Sequence, residues 1–168
     1  EKWRILVGKK EEDDKFRDVE VLLRSFALLY GEKSYTGSMV QFLNRFSKDA
    51  QKFEEEEVEK CKQVFEDFLT VCEPIDPKEF LTKTGSFNVS LFDSVFVVIA
   101  KKIILSGVDS SKISSEAFDL LKNDTAFRNA ITHSTSHVDS VKSRLSLARK
   151  YLYGIIDSEL NSEGEDGK

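Results

Sequence analysis

The chain's two histidines, His133 and His137, stand four residues apart in "AITHSTSHVDSV". On a helix that spacing puts two imidazoles on one face, the arrangement with which zinc-hydrolase helices hold a metal. The flanking residues argue against a helix through the pair. A helix over "DTAFRNAI", capped by Asp124 and buried through Phe127, Ala130 and Ile131, should end near Ile131 or Thr132. Thr135 or Ser136 can then cap the next one, with Asp139 three residues after Ser136 in a capping-box-like position. The histidines therefore flank a turn and read as surface loop residues, and no metal is implied. Cys61 and Cys72 supply no further ligand. Both fall on the apolar stripe of "VEKCKQVFEDFLTVC" and read as small core residues. Eleven residues apart on one helix, they are separated by about 16 Å along its axis, beyond disulfide reach.

Other catalytic patterns are equally thin. Gly8, Gly31 and Gly37 are isolated, so no glycine-rich loop can cradle a phosphate, and no serine sits in a nucleophile elbow. The acidic run Glu54 to Glu57 suits a helix start, where the dipole favours negative charge. Lys142, Arg149 and Lys150 share one side of the last helix and are phosphate-contact candidates, although such a side is ordinarily a solvated face. The net charge of -5 opposes a surface devoted to nucleic acid. No catalytic residue and no cofactor follow from the residues themselves.

The elements that must carry these groups are helices. Two prolines and eight glycines punctuate 168 residues, and apolar positions keep helical spacing almost throughout, so the spacing predicts an all-α domain, a single compact bundle of about seven helices. One stripe joins Val19, Leu22, Leu23, Phe26, Ala27 and Tyr30 in a helix stopped by Gly31. Glu20 and Arg24 lie off it as an intrahelical pair worth about 0.3 to 0.5 kcal/mol. Ser38 caps a second helix that buries Met39, Phe42, Leu43 and Phe46. A third runs from the acidic run through Val58, Cys61, Val64, Phe65, Phe68, Leu69 and Cys72. After an irregular connection with a helical turn at Pro77 to Phe80, Ser90 can cap a helix to about Leu105 that is apolar nearly all round. A buried strand over "VFVVI" is the alternative, because β-branched density favours it. "SSEAFDLLKN" reads as a short helix, and Val138, Val141, Leu145, Ala148, Leu152 and Ile155 mark the closing one. Residues 1–157 thus form one domain and residues 158–168 a disordered acidic tail. No apolar run reaches membrane-span length. Two cysteines suit a reducing compartment, which predicts a cytoplasmic location. A start at Glu1, with Trp3 at once and no signal-peptide pattern, reads as a segment of a longer protein.

The opening "EKWRILVGKKEEDDKFRDVEVLLRSFALLYGEKSYTGSMVQFLNRF" carries Trp3, Arg4, Leu6, Gly8 and Lys9, then Phe16-Arg17-Asp18, Glu20, Leu23, Arg24, Phe26 and Ala27, then Tyr35 and Phe42-Leu43-Asn44. Downstream come Asn88, Leu91, Phe92 and Asp93, and finally Phe127, Ala130, Ile131, Thr135, Ser136, Val141, Arg144, Leu145 and Ala148. In order and spacing this resembles the helical half of the GmrSD-type restriction endonuclease family, in the component whose N-terminal part is ParB/sulfiredoxin-like. The family's D-G-Q-Q-R motif and its HNH nuclease do not occur in this sequence. The resemblance implies a non-catalytic helical portion of a nucleotide-dependent nuclease component that acts in restriction and phage defence. It would pack against the ParB-like domain of the same protein, could self-associate, and would meet DNA only indirectly. Arg17, Asp18, Glu20, Arg24 and Arg144 are then the partner-contact or nucleotide-proximal candidates.

Overall fold

The computed structural model describes Trp3, residues 17–106 and residues 112–154. Seven α-helices fill the described residues: α1 (Arg17–Gly31), α2 (Met39–Ala50), α3 (Glu55–Val71), α4 (Val89–Ser106), α5 (Ser115–Asn123), α6 (Thr125–Thr132) and α7 (Val138–Tyr153). Short 3-10 turns lie at Glu32–Ser34 and Pro77–Phe80. The expected all-α bundle is the fold, and its only extended pairing among the described residues is an isolated bridge between Leu81 and Phe87.

Helix α4 is the axis. Eleven consecutive residues, Ser90 to Ala100, are buried, because α1, α3, α6, α7 and the Pro77–Phe80 turn all pack against it. "VFVVI" is therefore helical despite its β-branched residues. A helix surrounded on all sides satisfies its own backbone N–H and C=O groups, and no neighbouring strand is present among the described residues to serve a buried strand. Phe92, Phe96, Phe68 and Phe80 meet through edge-on contacts at 5.0 to 5.9 Å, and Trp3 lies against Phe65, Phe87 and Phe92.

The ends of the helices follow local chemistry, with some departures from expectation. Ser38 caps α2 by accepting the Gln41 N–H, and Asp124 caps α6 by accepting that of Phe127. Glu54 precedes α3 and forms a reciprocal box with Glu57. Ser90 does not cap α4: Asn88, one residue before the helix, accepts the Leu91 N–H at 3.0 Å, while Ser90 is already inside it. Nor do Thr135 or Ser136 cap α7, whose N-cap is His137 without a side-chain bond. Val19, Tyr30, Val58 and Ile104, expected on buried faces, are exposed. Ile155, Arg4, Leu6, Gly8, Lys9, Phe16 and the tail 158–168 lie outside the described residues. No described helix is long and apolar enough to cross a membrane.

Candidate functional site

The polar centre of the molecule lies where α1, α4 and α7 meet. Asp93 sits on the buried face of α4 with its side chain fully out of solvent. Arg24 of α1 places Nε 2.5 Å from Asp93 Oδ2, and a terminal nitrogen of Arg144, from α7, lies 3.5 Å from the same oxygen. The Arg144 side chain is 0% exposed and that of Arg24 16%. Ser25 Oγ lies 2.9 Å from Asp93 Oδ1 and also 2.9 Å from the Val21 carbonyl, and its single proton can serve one of them at a time. Arg24 donates to Ser90 Oγ at 3.4 Å, and Arg144 to the Thr135 carbonyl at 3.4 Å.

Two guanidiniums thus share one carboxylate in the interior. The attraction is strong but poorly directed, because Arg24 Nε, Asp93 Oδ2 and Arg144 Nε and one terminal nitrogen make no aligned hydrogen bond. Burial pushes the Arg144 guanidinium down to about 10; Asp93 pulls it back up and Arg24 pushes it further down. It stays cationic at neutral pH. A buried cluster with a surplus cation is a weak source of stability and a strong constraint on which helices may meet.

A second cluster joins α4 and α7 to the turn after α1. Glu32, in the turn after α1, accepts from one Arg149 nitrogen at 2.5 and 2.6 Å and also pairs with Lys101 of α4. Burial alone would raise the Glu32 carboxyl, but the hydrogen bonds and charges of Arg149 and Lys101 outweigh it and hold the group below its ordinary value of 4.5. Such a group contributes stability above its unfolded value and loses it as pH falls through the folded one. Glu32→Gln should therefore cost about 1.5 to 3 kcal/mol at pH 7, and urea titrations should show this difference shrinking as pH drops below 4.5. A pH-independent difference would show that the ion cluster is not its source.

The sequence candidates are now placed. Of the α1 group, Arg17 and Glu20 are exposed and Asp18 is half-buried, its carboxylate accepting the Val19 N–H. Arg24 turns away from them to Asp93, so the expected Glu20–Arg24 pairing gives way to a contact that spans 69 positions. Of the α7 group, Lys142 and Lys150 are exposed, Lys150 lying 5.4 Å from the Tyr151 ring centroid, while Arg149 is drawn onto Glu32. The histidines do flank a turn: α6 ends at Thr132, α7 begins at Val138, and both rings are exposed. Among the described residues no three potential metal-binding side chains group together. Thr135 and Ser136 act through their carbonyls, the second accepting from the Tyr35 hydroxyl at 2.5 Å.

No protein-family model, curated protein or solved structure matches this chain.

Asp93 is the residue that the sequence left under-read. It lies beyond the first turn of α4, which begins at Val89, and a lone carboxylate in an otherwise apolar segment must find a cation once that segment is buried. That signal calls for a cation without saying which; only the fold brings Arg24 and Arg144 to it.

Proposed function

We propose that the chain is a non-catalytic helical module of a GmrSD-like restriction and phage-defence protein, and that it packs against and positions a ParB-like nucleotide-hydrolysing domain. One observation supports the reading above others. Residues that carry the resemblance, from distant parts of the sequence, converge inside the bundle: Arg24, Asp93 and Arg144 meet as one charge cluster. Tyr35, Thr135 and Ser136 tie the flanking loops around it. Phe42, Phe92, Phe127, Val141, Leu145 and Ala148 are core. Residues spent on internal packing and internal charge build a scaffold. The outer start of α1, with Arg17, Val19 and Glu20 exposed, is the face offered to the ParB-like domain.

The test is binding of the matching ParB-like domain, supplied separately, to this chain by calorimetry. The expected result is saturable binding that weakens at least about tenfold in an Arg17→Glu/Glu20→Lys variant, the loss of charge complementarity across an interface. Unchanged binding removes this face from the reading, and no binding by the unaltered chain removes the reading itself. The surplus cation beside Asp93 and the residual exposure of Arg24 support a second reading, in which Arg24 reaches a nucleotide phosphate held by the ParB-like part. Normal nucleotide turnover by full-length protein carrying Arg24→Lys, with the fold intact, would count against it, since a lysine loses the planar fork.

A further inference from the structure

We propose that Arg144 is held in reserve as a second partner for Asp93, so that Arg24 can leave the carboxylate and hold a phosphoryl anion on the outer side of α1. The inference rests on the reading in which Arg24 meets a nucleotide phosphate, and adds how the interior stays neutralised when it does. The two guanidiniums differ in what they have already spent. Arg24 Nε lies 2.5 Å from Asp93 Oδ2 and its side chain keeps 16% of its surface in water, whereas Arg144 is 0% exposed and stands 3.5 Å from the same oxygen. Arg144 Nε and one of its terminal nitrogens are buried without a hydrogen bond. Unused donors thus stand beside a carboxylate that another cation occupies, and closing the gap to about 2.8 Å would complete a charge-assisted bond.

The charge balance favours the exchange. With both arginines on Asp93 the cluster carries one uncompensated positive charge, and Arg24 helps to push the Arg144 guanidinium down. If Arg24 leaves, a one-to-one buried pair remains and the surplus charge recovers its solvation in water. The carboxylate need not move, because Ser25 Oγ, 2.9 Å from Oδ1, ties it to α1. The other internal contact of Arg24, to Ser90 Oγ, is long at 3.4 Å and easily given up. Arg144 is the one that must stay: it is enclosed, and its remaining terminal nitrogen donates to the Thr135 carbonyl.

Helix α1 sets where Arg24 goes. Arg17, Glu20 and Arg24 follow one another at spacings of three and four and share one side of the helix, and Arg17 and Glu20 are exposed. An outward Arg24 rests beside Glu20, its neighbour one turn back. A phosphoryl group suits that position, since its oxygens match the planar fork two at a time. Arg17 adds positive charge on the same side, and Glu20 is the opposing charge there.

Two measurements on the full chain test the exchange. In a crystal structure of Arg24→Met, Arg144 should close on Asp93 from 3.5 Å to about 2.8 Å. An unchanged distance, or loss of the fold in that variant, overturns the proposal. Inorganic pyrophosphate titrated into the unaltered protein should shift the Arg24 Nε–H resonance saturably. Arg144→Met, at a buried position that never touches the anion, should weaken that binding at least about tenfold, because Asp93 then has no substitute partner. Equal affinity in Arg144→Met overturns the reserve while leaving Arg24 as a phosphate ligand. No saturable shift of Arg24 overturns its release, and the phosphate reading then stands or falls on turnover by the Arg24→Lys protein.

Discussion

Replacing Asp93 by Asn should destabilise the fold by about 3 to 5 kcal/mol, the cost of breaking a buried ion cluster at its shared partner. The amide keeps the shape of the side chain and can still accept from Ser25, so little packing is lost. What is lost is the counter-charge between Arg24 and the fully buried Arg144. The same geometry predicts an asymmetry. Arg144→Met removes the surplus cation and leaves Arg24 with Asp93, so its cost should be about 1 kcal/mol or less, since replacing a buried charge by a well-packed apolar chain is often neutral. In the Arg144→Met background, Asp93→Asn should cost at least about 1 kcal/mol less than it does alone, the signature of direct coupling. Urea unfolding of the four proteins measures all three quantities. Equal costs for Asp93→Asn and Arg144→Met would show that the cluster is not organised around the carboxylate.

That cluster also marks where sequence reasoning stopped. Helical periodicity was enough to place α1 through α7, because spacing at three and four residues is imposed by the backbone. It could not set how far each buried face extends. In α1 the stripe includes Val19 and Tyr30, yet the buried residues are Val21, Ser25, Ala27, Leu28 and Leu29. The helix is rotated so that Arg24 and Ser25 reach Asp93 while Tyr30 stacks on Phe46 of α2. A polar residue is drawn inward here by a partner 69 positions away, and no local pattern encodes that pull. Ser38 and Asp124 cap as expected, but two other caps failed for a related reason. Ser90 and Asn88 are both good capping residues two positions apart, and the choice falls to Asn88 because Ser90 is needed inside, beside Arg24. At the α6–α7 junction, Ser134 adopts a positive φ of 47°, and the carbonyls of Thr135 and Ser136 are taken by Arg144 and Tyr35. Tertiary hydrogen bonds fix this turn, so a side-chain capping pattern was the wrong signal to look for.

Phe92→Ala should cost about 3 to 5 kcal/mol, toward the upper part of that range. Phe92 is fully buried on α4 and touches five other aromatic rings: Trp3 at 5.2 Å, Phe87 at 5.5 Å, Phe68 at 5.6 Å, and Phe80 and Phe96 at 5.9 Å. These rings come from several elements that the axis helix holds apart, so no one neighbour can move into the gap without abandoning its own contacts. Interiors packed to this density relax little, and the residual cavity adds to the lost transfer energy. Phe92→Leu retains most of the volume and should cost about 1 to 1.5 kcal/mol. Trp3 provides an internal reporter, since it is the chain's one tryptophan. Its indole lies against the ring being removed, so Phe92→Ala should shift the native-state emission to longer wavelength, while Phe92→Leu should leave it close to that of the unaltered protein. An unfolding curve with a lowered midpoint and an unchanged slope would place the loss in the folded core. A loss below about 1 kcal/mol with unshifted emission would contradict the packing around α4 on which the Asp93 cluster also depends.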